Sequence, residues 1–490
     1  MNPLLIQSAT ELARRIRARE VTSREVVDVH IAQVRAVNGT LNAVVRDRFE
    51  AARGEARLAD ERTLREDPAA LPPLHGVPCS VKECFAVEGM PQSAGLVARR
   101  GVIATTDATT VARMRAAGAI PLGVTNVSEL CMWMETNNRV YGRTNNPYDP
   151  SRIVGGSSGG EGAIVGAGGV PVGLGSDIGG SIRMPAFFNG VFGHKPTGGL
   201  VPSTGQYPVA HGPALRYHTT GPLARRAEDL MPLLRILAGP DGEDAECTAQ
   251  ALGDPGAVDL ASLTVLDVED NGDLPVSDDL RAAQRACAEA LQRRGAQVER
   301  ARIDGLKASL DIWGAMVAAA GGPSFASMLG DGPDVAAWRE LARWVVRRSP
   351  HTLPAIGLAL FENVPKLAPA RARRAVELGA ELYAELDRRI GPRGIMLLPS
   401  YPRPAPRHYM PLFPPFQWTY TAILNVMEMP ATQVPLGLNG RGLPLGVQVA
   451  ARRGNDHLTI AVALELERAF GGWVPPPVRG GGGAYSPPRR

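Results

Sequence analysis

The chain of 490 residues has little cysteine, and its cysteines follow no pairing pattern. The five cysteines are odd in number and irregularly spaced, and neither a C-x-x-C pair nor an H-E-x-x-H motif occurs. The sequence therefore argues against a disulfide framework and against a zinc site. It favours a reduced, cytoplasmic setting. We expect neither a metal ion nor another cofactor.

Long apolar runs and a strong excess of one charge are also lacking. The N-terminus has no cationic leader with a long apolar core, and the longest apolar stretches, near 165–174 and 353–361, are too short or too glycine-rich to span a bilayer. The formal net charge of +4 is small for this length and gives little support to nucleic-acid binding. We expect no transmembrane segment and no nucleic-acid partner. Peripheral membrane contact and a homodimer remain open.

Lysine is the rarest charged residue, because arginine supplies nearly all of the 53 basic side chains. Lysine occurs only at Lys82, Lys195, Lys307 and Lys366. Arginine keeps its proton in proteins, whereas a buried lysine can become a neutral base. The four lysines are therefore candidates for positions where arginine would not serve.

Hydrophobic periodicity predicts alternating helices and strands. Capping boxes beginning at Ser8 and Thr22 predict two helices, and strands are predicted at 76–82 and 119–124 around a helix capped by Asp107. In the first strand, alternation places 77, 79 and 81 on one face. The turn at 439–440 predicts a hairpin, and a helix follows from about Asp456. This rhythm predicts an α/β protein with a largely parallel sheet.

The same patterns predict one domain over residues 1–475. Its middle, about 241–393, is rich in Arg, Ala and Glu and is predicted to be helical. The last residues, 476–490, consist mostly of Pro, Gly and Arg, and we expect them to be disordered.

The segment 155–181 carries two serine clusters surrounded by glycine, and the second cluster ends in Ser181. Glycines before a serine can direct successive backbone N–H groups to one point, as an oxyanion hole requires. A flexible linker is disfavoured because apolar residues alternate with the glycines. Ser157, Ser158 and Ser181 are candidate nucleophiles, and Lys82 at a strand end is a candidate base.

Residues 155–159 also match G-x-S-x-G, the nucleophile elbow of α/β-hydrolases. That fold requires a strand directly before the serine, and residues 146–152 are typical of a loop. A triad could be completed only by Asp456 and His457, at a predicted helix start where an aspartate is an ordinary cap. The histidine-based triad is therefore the weaker interpretation.

Taken together, these motifs resemble the amidase signature family. The resemblance is carried by residues 75–78, 81–83, 141–147, 155–162, 175–190 and 193–197, and weaker similarity extends through 349–361, 437–449 and 470–474. An upstream lysine with this glycine–serine signature is highly specific to the family. Within the family, the sequence is most similar to the branch that acts on fatty-acid amides. The resemblance implies an α/β fold with a large mixed sheet covered by helices on both faces.

The resemblance also implies a Ser–cisSer–Lys triad. Lys82 would be the base, Ser157 the bridging serine in a cis peptide, and Ser181 the nucleophile that forms an acyl-enzyme. The oxyanion hole would consist of the backbone N–H groups of Ile178, Gly179, Gly180 and Ser181.

Three further residues are expected to support these groups rather than to react. Ser158 is placed to cap a helix that begins near residue 159. Asp177 is expected to order the loop before Ser181, and Arg183 to bind backbone carbonyls close to it. Lys195 is expected to be structural.

The predicted function is a serine hydrolase of carboxylic amides with a fatty or other apolar acyl group. Met132, Trp133 and Met134 suit an apolar ligand, and residues 353–361 would either join them in an acyl channel or belong to the core. Three alternatives stay open. They are the glutamine-hydrolysing A subunit of a tRNA-dependent amidotransferase, a general small-amide or peptide-amide amidase, and a scaffold without activity. The acyl length and the amine leaving group are not specified by the sequence.

Overall fold

The computed structural model describes residues 1–362 and 368–477. The predicted tail lies outside the described residues from position 478 onward. The strands are β1 (Val44–Asp47), β2 (Val77–Lys82), β3 (Ala119–Thr125), β4 (Asn137–Asn138), β5 (Gly142–Arg143), β6 (Val172–Asp177), β7 (Phe192–Lys195), β8 (Thr219–Ala224), β9 (Thr264–Asp267), β10 (Gln297–Arg300), β11 (Gly394–Leu398), β12 (Ala431–Leu438) and β13 (Pro444–Ala451).

The α-helices lie between and after these strands. They are α1 (Ala9–Arg17), α2 (Ser23–Leu41), α3 (Phe49–Arg65), α4 (Thr109–Ala116), α5 (Gly159–Gly166), α6 (Arg183–Phe188), α7 (Ala214–Tyr217), α8 (Leu230–Leu237), α9 (Asp278–Arg293), α10 (Ser309–Ala319), α11 (Phe325–Leu329), α12 (Ala337–Val345), α13 (Leu353–Phe361), α14 (Pro369–Ile390), α15 (Thr419–Val426) and α16 (Asp456–Phe470). Within the described ranges, no helix is both long enough and apolar enough to cross a bilayer.

Eleven strands form one sheet in the order β1-β3-β2-β6-β8-β7-β12-β13-β11-β9-β10. β2 is parallel to β3 and β6, and β9 is parallel to β10 and β11, but the pairs from β6–β8 across to β11–β13 are antiparallel. The sheet is therefore mixed, as the resemblance implies, and the largely parallel sheet expected from the rhythm is wrong. One reason is the short turn between β12 and β13, because strands joined by such a turn must run antiparallel.

Several local predictions are confirmed. The Ser8 hydroxyl accepts from the Glu11 N–H at 2.9 Å at the start of α1. At the start of α2, the Thr22 hydroxyl accepts from the Glu25 N–H and the Glu25 carboxylate accepts from the Thr22 N–H, which completes the capping box. The hairpin of β12 and β13 turns at 439–443, and α16 begins at Asp456.

Two predicted aspartate caps are wrong, because tertiary donors occupy the carboxylates. Asp107 accepts from the Glu88 N–H at 2.8 Å, and α4 begins without a side-chain cap. Asp456 accepts from the N–H and hydroxyl of Thr197 at 2.9 and 2.5 Å, and the cap residue of α16 is Asn455. The middle of the chain is also not purely helical, since it supplies the edge strand β10 and its neighbour β9.

Helices cover both faces of the sheet. On one face, the predicted set Val77, Cys79 and Val81 packs in one cluster with α1, α4, α8 and α16. On the other face, Ile120 and Leu122 of β3 pack with α2, α3 and α5, while β9, β11 and β12 meet α10, α14 and α15. Side chains alternate between the two faces along each strand, so the core forms two layers.

Two glycine-to-alanine changes test how tightly the first half of the sheet is packed. A Cβ added at Gly123 in β3 would lie 2.4 Å from the Arg46 carbonyl oxygen, whereas one added at Gly54 in α3 meets nothing within 4 Å. We expect Gly123→Ala to lower the free energy of unfolding by about 1–3 kcal/mol. Gly54→Ala should raise it by about 0.5–1 kcal/mol, because alanine favours the helix. Denaturant titration measures both, and shifts of the same sign would contradict the packing described.

Candidate active site

Lys82, the last residue of β2, lies in a buried shell of hydroxyl groups. Its Nζ donates to Ser157 Oγ at 2.7 Å and to Ser176 Oγ at 2.9 Å, and the side chain has no exposed surface. Ser176 comes from β6, which runs parallel to β2 and pairs with it. Because parallel neighbours end at the same edge of a sheet, Lys82 and Ser176 meet there.

Ser157 reaches this edge from the loop before α5. The peptide bond between Gly156 and Ser157 is cis. A Cβ added at Gly156 would lie 2.4 Å from the Trp133 carbonyl oxygen, so only glycine fits between the two loops. The close approach of the loops holds Ser157 directly beside Lys82.

Ser181 is the most accessible of the three proposed triad residues. It is 7% exposed, compared with 1% for Ser157 and 0% for Lys82. Its carbonyl oxygen accepts from the Ser158 N–H at 3.3 Å, which joins the two serine clusters. Ser181 therefore keeps some exposed surface, whereas Lys82 is fully enclosed.

The backbone before Ser181 is oriented by donors that hold its carbonyl groups. Asn425 Nδ2 donates to the Asp177 carbonyl at 2.8 Å, Trp313 Nε1 to the Ile178 carbonyl at 2.9 Å, and Thr421 Oγ1 to the Gly179 carbonyl at 2.8 Å. In a trans peptide the N–H points opposite to the carbonyl. The N–H groups of these three peptides, which belong to Ile178, Gly179 and Gly180, therefore point away from the side-chain donors.

One of the predicted oxyanion donors already has an acceptor. The Gly180 N–H donates to Asp177 Oδ1 at 2.7 Å. Ile178 and Gly179 are partly exposed, whereas Gly180 is buried with φ of +116°. The N–H groups of Ile178, Gly179 and Ser181 are therefore the candidate oxyanion donors of this loop.

Asp177 and Arg183 form a fully buried ion pair beneath this loop. Arg183 Nη2 lies 3.0 Å from Asp177 Oδ1, and neither side chain is exposed. Burial would raise the pKa of Asp177, but the positive charge of Arg183 holds that pKa well below its usual range. Arg183 also donates to the Thr421 carbonyl and to Asn425 Oδ1. Asp177 therefore orders the loop, and Arg183 binds a backbone carbonyl, as the sequence suggests.

Two buried carboxyl groups lie near Lys82, and hydroxyl groups satisfy both. Glu161 accepts from Ser80 Oγ at 2.5 Å and Thr125 Oγ1 at 2.7 Å, and burial raises its pKa to about 7. Glu83 accepts from the Tyr141 hydroxyl at 2.6 Å, and burial likewise raises its pKa to about 7. The contacts of both carboxylates are thus with hydroxyl donors and, for Glu83, with backbone N–H groups.

The apolar residues predicted to line a pocket fall into two groups. Met132 packs on a cluster with Leu130 and with Ala355 and Ala359 of α13, so this part of the 353–361 segment does meet it. Trp133 packs on a different cluster that contains Met134, which is 2% exposed. Met132 and Trp133 remain partly exposed, whereas Met134 belongs to the core.

The other predicted residues have local structural contacts. Ser158 makes no side-chain cap to α5; its hydroxyl instead bonds to the backbone of Ser176, so the predicted cap is wrong. Lys195 is buried and donates to the Pro196 carbonyl at 2.8 Å. Asp456 contacts His194 at 3.1 Å rather than completing a triad with His457.

Sequence reasoning missed several residues of the site. Ser176 lies within the motif at 175–190 but has no role assigned from the sequence. Its position on β6, directly before Asp177, could have indicated that it lies near Lys82. The 2.9 Å contact of Ser176 with Lys82 has no other local signal. Trp313 and Trp418 stack edge to face 4.7 Å apart over the loop at Gly179, and both come from parts of the sequence without a recognised motif.

The described residues contain no cluster of three His, Cys, Asp or Glu side chains that could hold a metal ion. The nearby chemistry is that of hydroxyl groups, an amine, thiols and backbone donors. This set can support proton transfer and attack by an oxygen nucleophile.

The buried ion pair generates a stability prediction. Asp177→Asn leaves the Arg183 charge without its partner, and we expect the free energy of unfolding to fall by about 3–5 kcal/mol. The matched control is Glu66→Gln, which breaks the exposed pair of Arg62 and Glu66 and should cost less than about 1 kcal/mol. Equal losses for the two variants in denaturant titration would contradict the importance assigned to the buried pair.

Comparison with known proteins now gives the context of this geometry. The model of the Amidase family matches residues 25–460. Fatty-acid amide hydrolase 2-A of Danio rerio is 47% identical, with 97% of this chain and 91% of that protein covered. Fatty-acid amide hydrolase 2 of Homo sapiens is 45% identical over the same shares.

A solved structure also matches the fold. The structure of a bacterial aryl acylamidase of the amidase signature family superposes with a TM-score of 0.79 at 26% identity, and the match covers 96% of this chain and 97% of the other. The predicted resemblance and the predicted fold class are confirmed. The chain therefore belongs to the Amidase family and is an amide hydrolase.

Proposed function

We propose that the protein hydrolyses amides of fatty or other apolar carboxylic acids through an acyl-enzyme on Ser181. Lys82 is the proposed base, and Ser157 relays protons between Lys82 and Ser181. The observation that carries this proposal is the 2.7 Å contact between Lys82 Nζ and Ser157 Oγ within a buried shell, where the N–H of the neighbouring Ser158 donates to the Ser181 carbonyl at 3.3 Å.

In the first half-reaction, Ser181 Oγ attacks the amide carbonyl carbon. The Ser181 proton moves to Ser157 Oγ while Ser157 gives its own proton to Lys82 Nζ, so Lys82 must start as a neutral amine. The oxyanion that forms accepts hydrogen bonds from the N–H groups of Ile178, Gly179 and Ser181. The N–H of Gly180 can join them only if it releases Asp177.

The tetrahedral intermediate then expels the amine. Lys82 returns its proton through Ser157 to the leaving nitrogen, the C–N bond breaks, and an ester on Ser181 remains. Water attacks this ester, and the same relay carries the proton from water to Ser181 as the carboxylic acid leaves. No net proton remains on the enzyme after one turnover.

The apolar side chains around the site favour an apolar acyl group. Met132 and Trp133 are partly exposed on the loop that packs against Ser157, and Trp418 lies within 3.7 Å of a Cβ added at Gly179. Relatives at 45–47% identity are named fatty-acid amide hydrolase 2. Both observations support the fatty-amide substrate over glutamine, which would need polar partners for its side chain. A small-amide or peptide-amide amidase is the second candidate.

Other expectations stay predictions. They are a single working domain over residues 1–475, a cytoplasmic location, a homodimer, and peripheral contact with a membrane. For the last of these, α12 and the residue after it present exposed apolar side chains, with Trp338 65%, Val345 70% and Val346 61% exposed. Phe361, at the end of α13, is 69% exposed.

The triad is tested by three substitutions. Ser181→Ala should lower kcat by about 10⁴-fold or more, because the nucleophile is lost. Lys82→Ala should lower kcat/KM by about 10²–10⁴-fold, and Lys82→Arg should be equally impaired, since arginine is bulkier and retains its proton. Steady-state kinetics on one amide substrate measures all three.

The control variant is His457→Ala, which should be kinetically mild because His457 has no place in this relay. Mass spectrometry after reaction with a fluorophosphonate should place the adduct on Ser181. An adduct on Ser157 or on a cysteine would show that Ser181 is not the nucleophile. Substantial activity in Lys82→Arg would show that Lys82 is not the base.

The acyl preference predicts a chain-length profile. Each buried methylene contributes at most about 0.8 kcal/mol, or about fourfold, so kcat/KM should rise several-fold per methylene from acetamide upward and then level off. The matched control lengthens the amine and leaves the acyl group unchanged, and this series should be much flatter. A flat acyl series would reject the fatty-amide assignment, and efficient glutamine hydrolysis would favour the amidotransferase subunit.

A further inference from the structure

A tryptophan that is distant in the sequence holds the backbone of the loop before Ser181. Trp313 lies on α10, and its Nε1 donates to the Ile178 carbonyl oxygen at 2.9 Å. Trp418 meets the Trp313 ring edge to face, with the ring centroids 4.7 Å apart and an interplanar angle of 78°. Both indoles are partly exposed. The Trp313 ring is therefore packed against Trp418 and directs its N–H to the loop.

The Ile178 carbonyl and the Gly179 N–H belong to one peptide group. Because a trans peptide is planar, a hydrogen bond that fixes the carbonyl also fixes the direction of the N–H on the opposite side. A peptide whose carbonyl accepts a hydrogen bond is also polarised, which makes its N–H a stronger donor. Among the residues that the structure describes, the Gly179 N–H has no protein acceptor. The Trp313 contact therefore acts on a donor that is free to bind an oxyanion.

The Trp313 contact differs from the deeper contacts of this loop. Asn425 holds the Asp177 carbonyl in a buried contact, whereas the contact of Trp313 with Ile178 is partly buried. Water can therefore replace the Trp313 N–H as a donor to the Ile178 carbonyl, but water cannot fix the plane of the peptide. Loss of this N–H should consequently affect the direction of the Gly179 N–H more than the stability of the fold.

We propose that Trp313 is a positioning residue for the hydrolysis, because its hydrogen bond to the Ile178 carbonyl directs the Gly179 N–H at the oxyanion that forms on the substrate. This inference rests on the proposed function, since it requires an oxyanion at this loop. It goes further by assigning part of the oxyanion geometry to α10, a helix from the middle of the chain. Trp313 acts through the peptide group and takes no proton.

The alternative role for Trp313 is that of a wall of the acyl pocket, and the two roles predict different patterns. Trp418 lies 3.7 Å from a Cβ added at Gly179, so the acyl group of a substrate held by the Gly179 N–H begins beside this pair of rings. A wall residue contributes apolar contact, and the loss on its truncation grows with acyl length. A positioning residue acts in the transition state, so its loss lowers kcat by the same factor at every acyl length.

The main variant is Trp313→Phe, which keeps an aromatic ring and removes the N–H. On primary amides from butanamide to decanamide, kcat should fall about tenfold for every member, while KM changes by less than about twofold. This fall is smaller than the loss of about 10²–10³-fold that follows removal of a whole oxyanion donor, because the Gly179 N–H is still present. Steady-state kinetics on the full chain measures both constants.

A second variant separates the N–H from the packing of the ring. Replacement of Trp313 by β-(3-benzothienyl)alanine puts a sulfur in place of the N–H and keeps the size of the ring, so it should show the same fall in kcat with an unchanged melting temperature. Trp418→Phe, in the neighbouring ring, should instead show a loss that grows with acyl length. Trp338→Phe, at a side chain of α12 that is 65% exposed, should behave as the parent.

A trifluoromethyl ketone supplies a readout that packing alone does not move. Ser181 Oγ adds to the ketone carbon, the Ser181 proton passes through Ser157 to Lys82, and the ketone oxygen becomes an oxyanion at the loop. Because this adduct imitates the tetrahedral intermediate, its Ki should rise about tenfold in Trp313→Phe, in step with the fall in kcat. The alcohol made by reducing the same ketone cannot form the adduct, and its Ki should change by less than about twofold.

The outcomes separate the two proposals. Unchanged kcat and unchanged ketone affinity in the two Trp313 variants reject the positioning role. A loss that grows with acyl length, with equal changes for the ketone and the alcohol, assigns Trp313 to the acyl wall and rejects the positioning role as well. If the parent chain hydrolyses no amide and forms no ketone adduct on Ser181, the proposed function fails, and this role fails with it.

Discussion

The buried ion pair of Asp177 and Arg183 is the interaction on which the site depends. Asp177 ends β6 and Arg183 begins α6, so the pair spans the loop that contains Ser181. Arg183 then reaches Asn425 on α15 and Gln448 on β13, which belong to the other half of the sheet. The Arg183 guanidinium is thus neutralised by Asp177 and also hydrogen-bonded by Asn425 and Gln448 from the C-terminal part of the chain. The loop can hold its shape only when the two halves are packed together.

Buried carboxylates also hold the loops around Lys82 in place by accepting hydrogen bonds from backbone N–H groups. Glu83 accepts from the N–H groups of Ser93 and Ala94, and the Ala94 carbonyl in turn accepts from Leu130. On the other side of the turn at Leu130, the Glu129 carboxylate accepts from the Thr352 N–H and contacts His351, both just before α13. Glu83 and Glu161 near the lysine are thus satisfied by backbone and hydroxyl donors, and Lys82 Nζ itself donates to Ser157 and Ser176.

Sequence reasoning reached the parts of the site that lie in continuous motifs. Ser157 and the loop to Ser181 follow from a glycine–serine pattern, and Lys82 from its strand end and the scarcity of lysine. The helix starts at Ser8 and Thr22 follow from local capping. Asp107 and Asp456 show why local rules fail, since donors distant in the sequence took both carboxylates. Trp313 and Thr421 lie 135 and 242 residues from their carbonyl partners, and no periodicity indicates such contacts.

The close contacts of the signature glycines have a consequence for how this enzyme can diversify. Cβ atoms at Gly156 and Gly160 would collide with backbone atoms of the facing loop at 2.4 Å, and backbone cannot rotate aside as a side chain can. The loops that hold the proposed reacting hydroxyls are therefore packed backbone against backbone, and they offer no room for new side chains. Other side chains near the site, such as Trp418 beside Gly179 and Met132 against α13, can be exchanged. Evolution or engineering of substrate range is thereby directed to such side chains, while the glycine-rich loops stay unchanged.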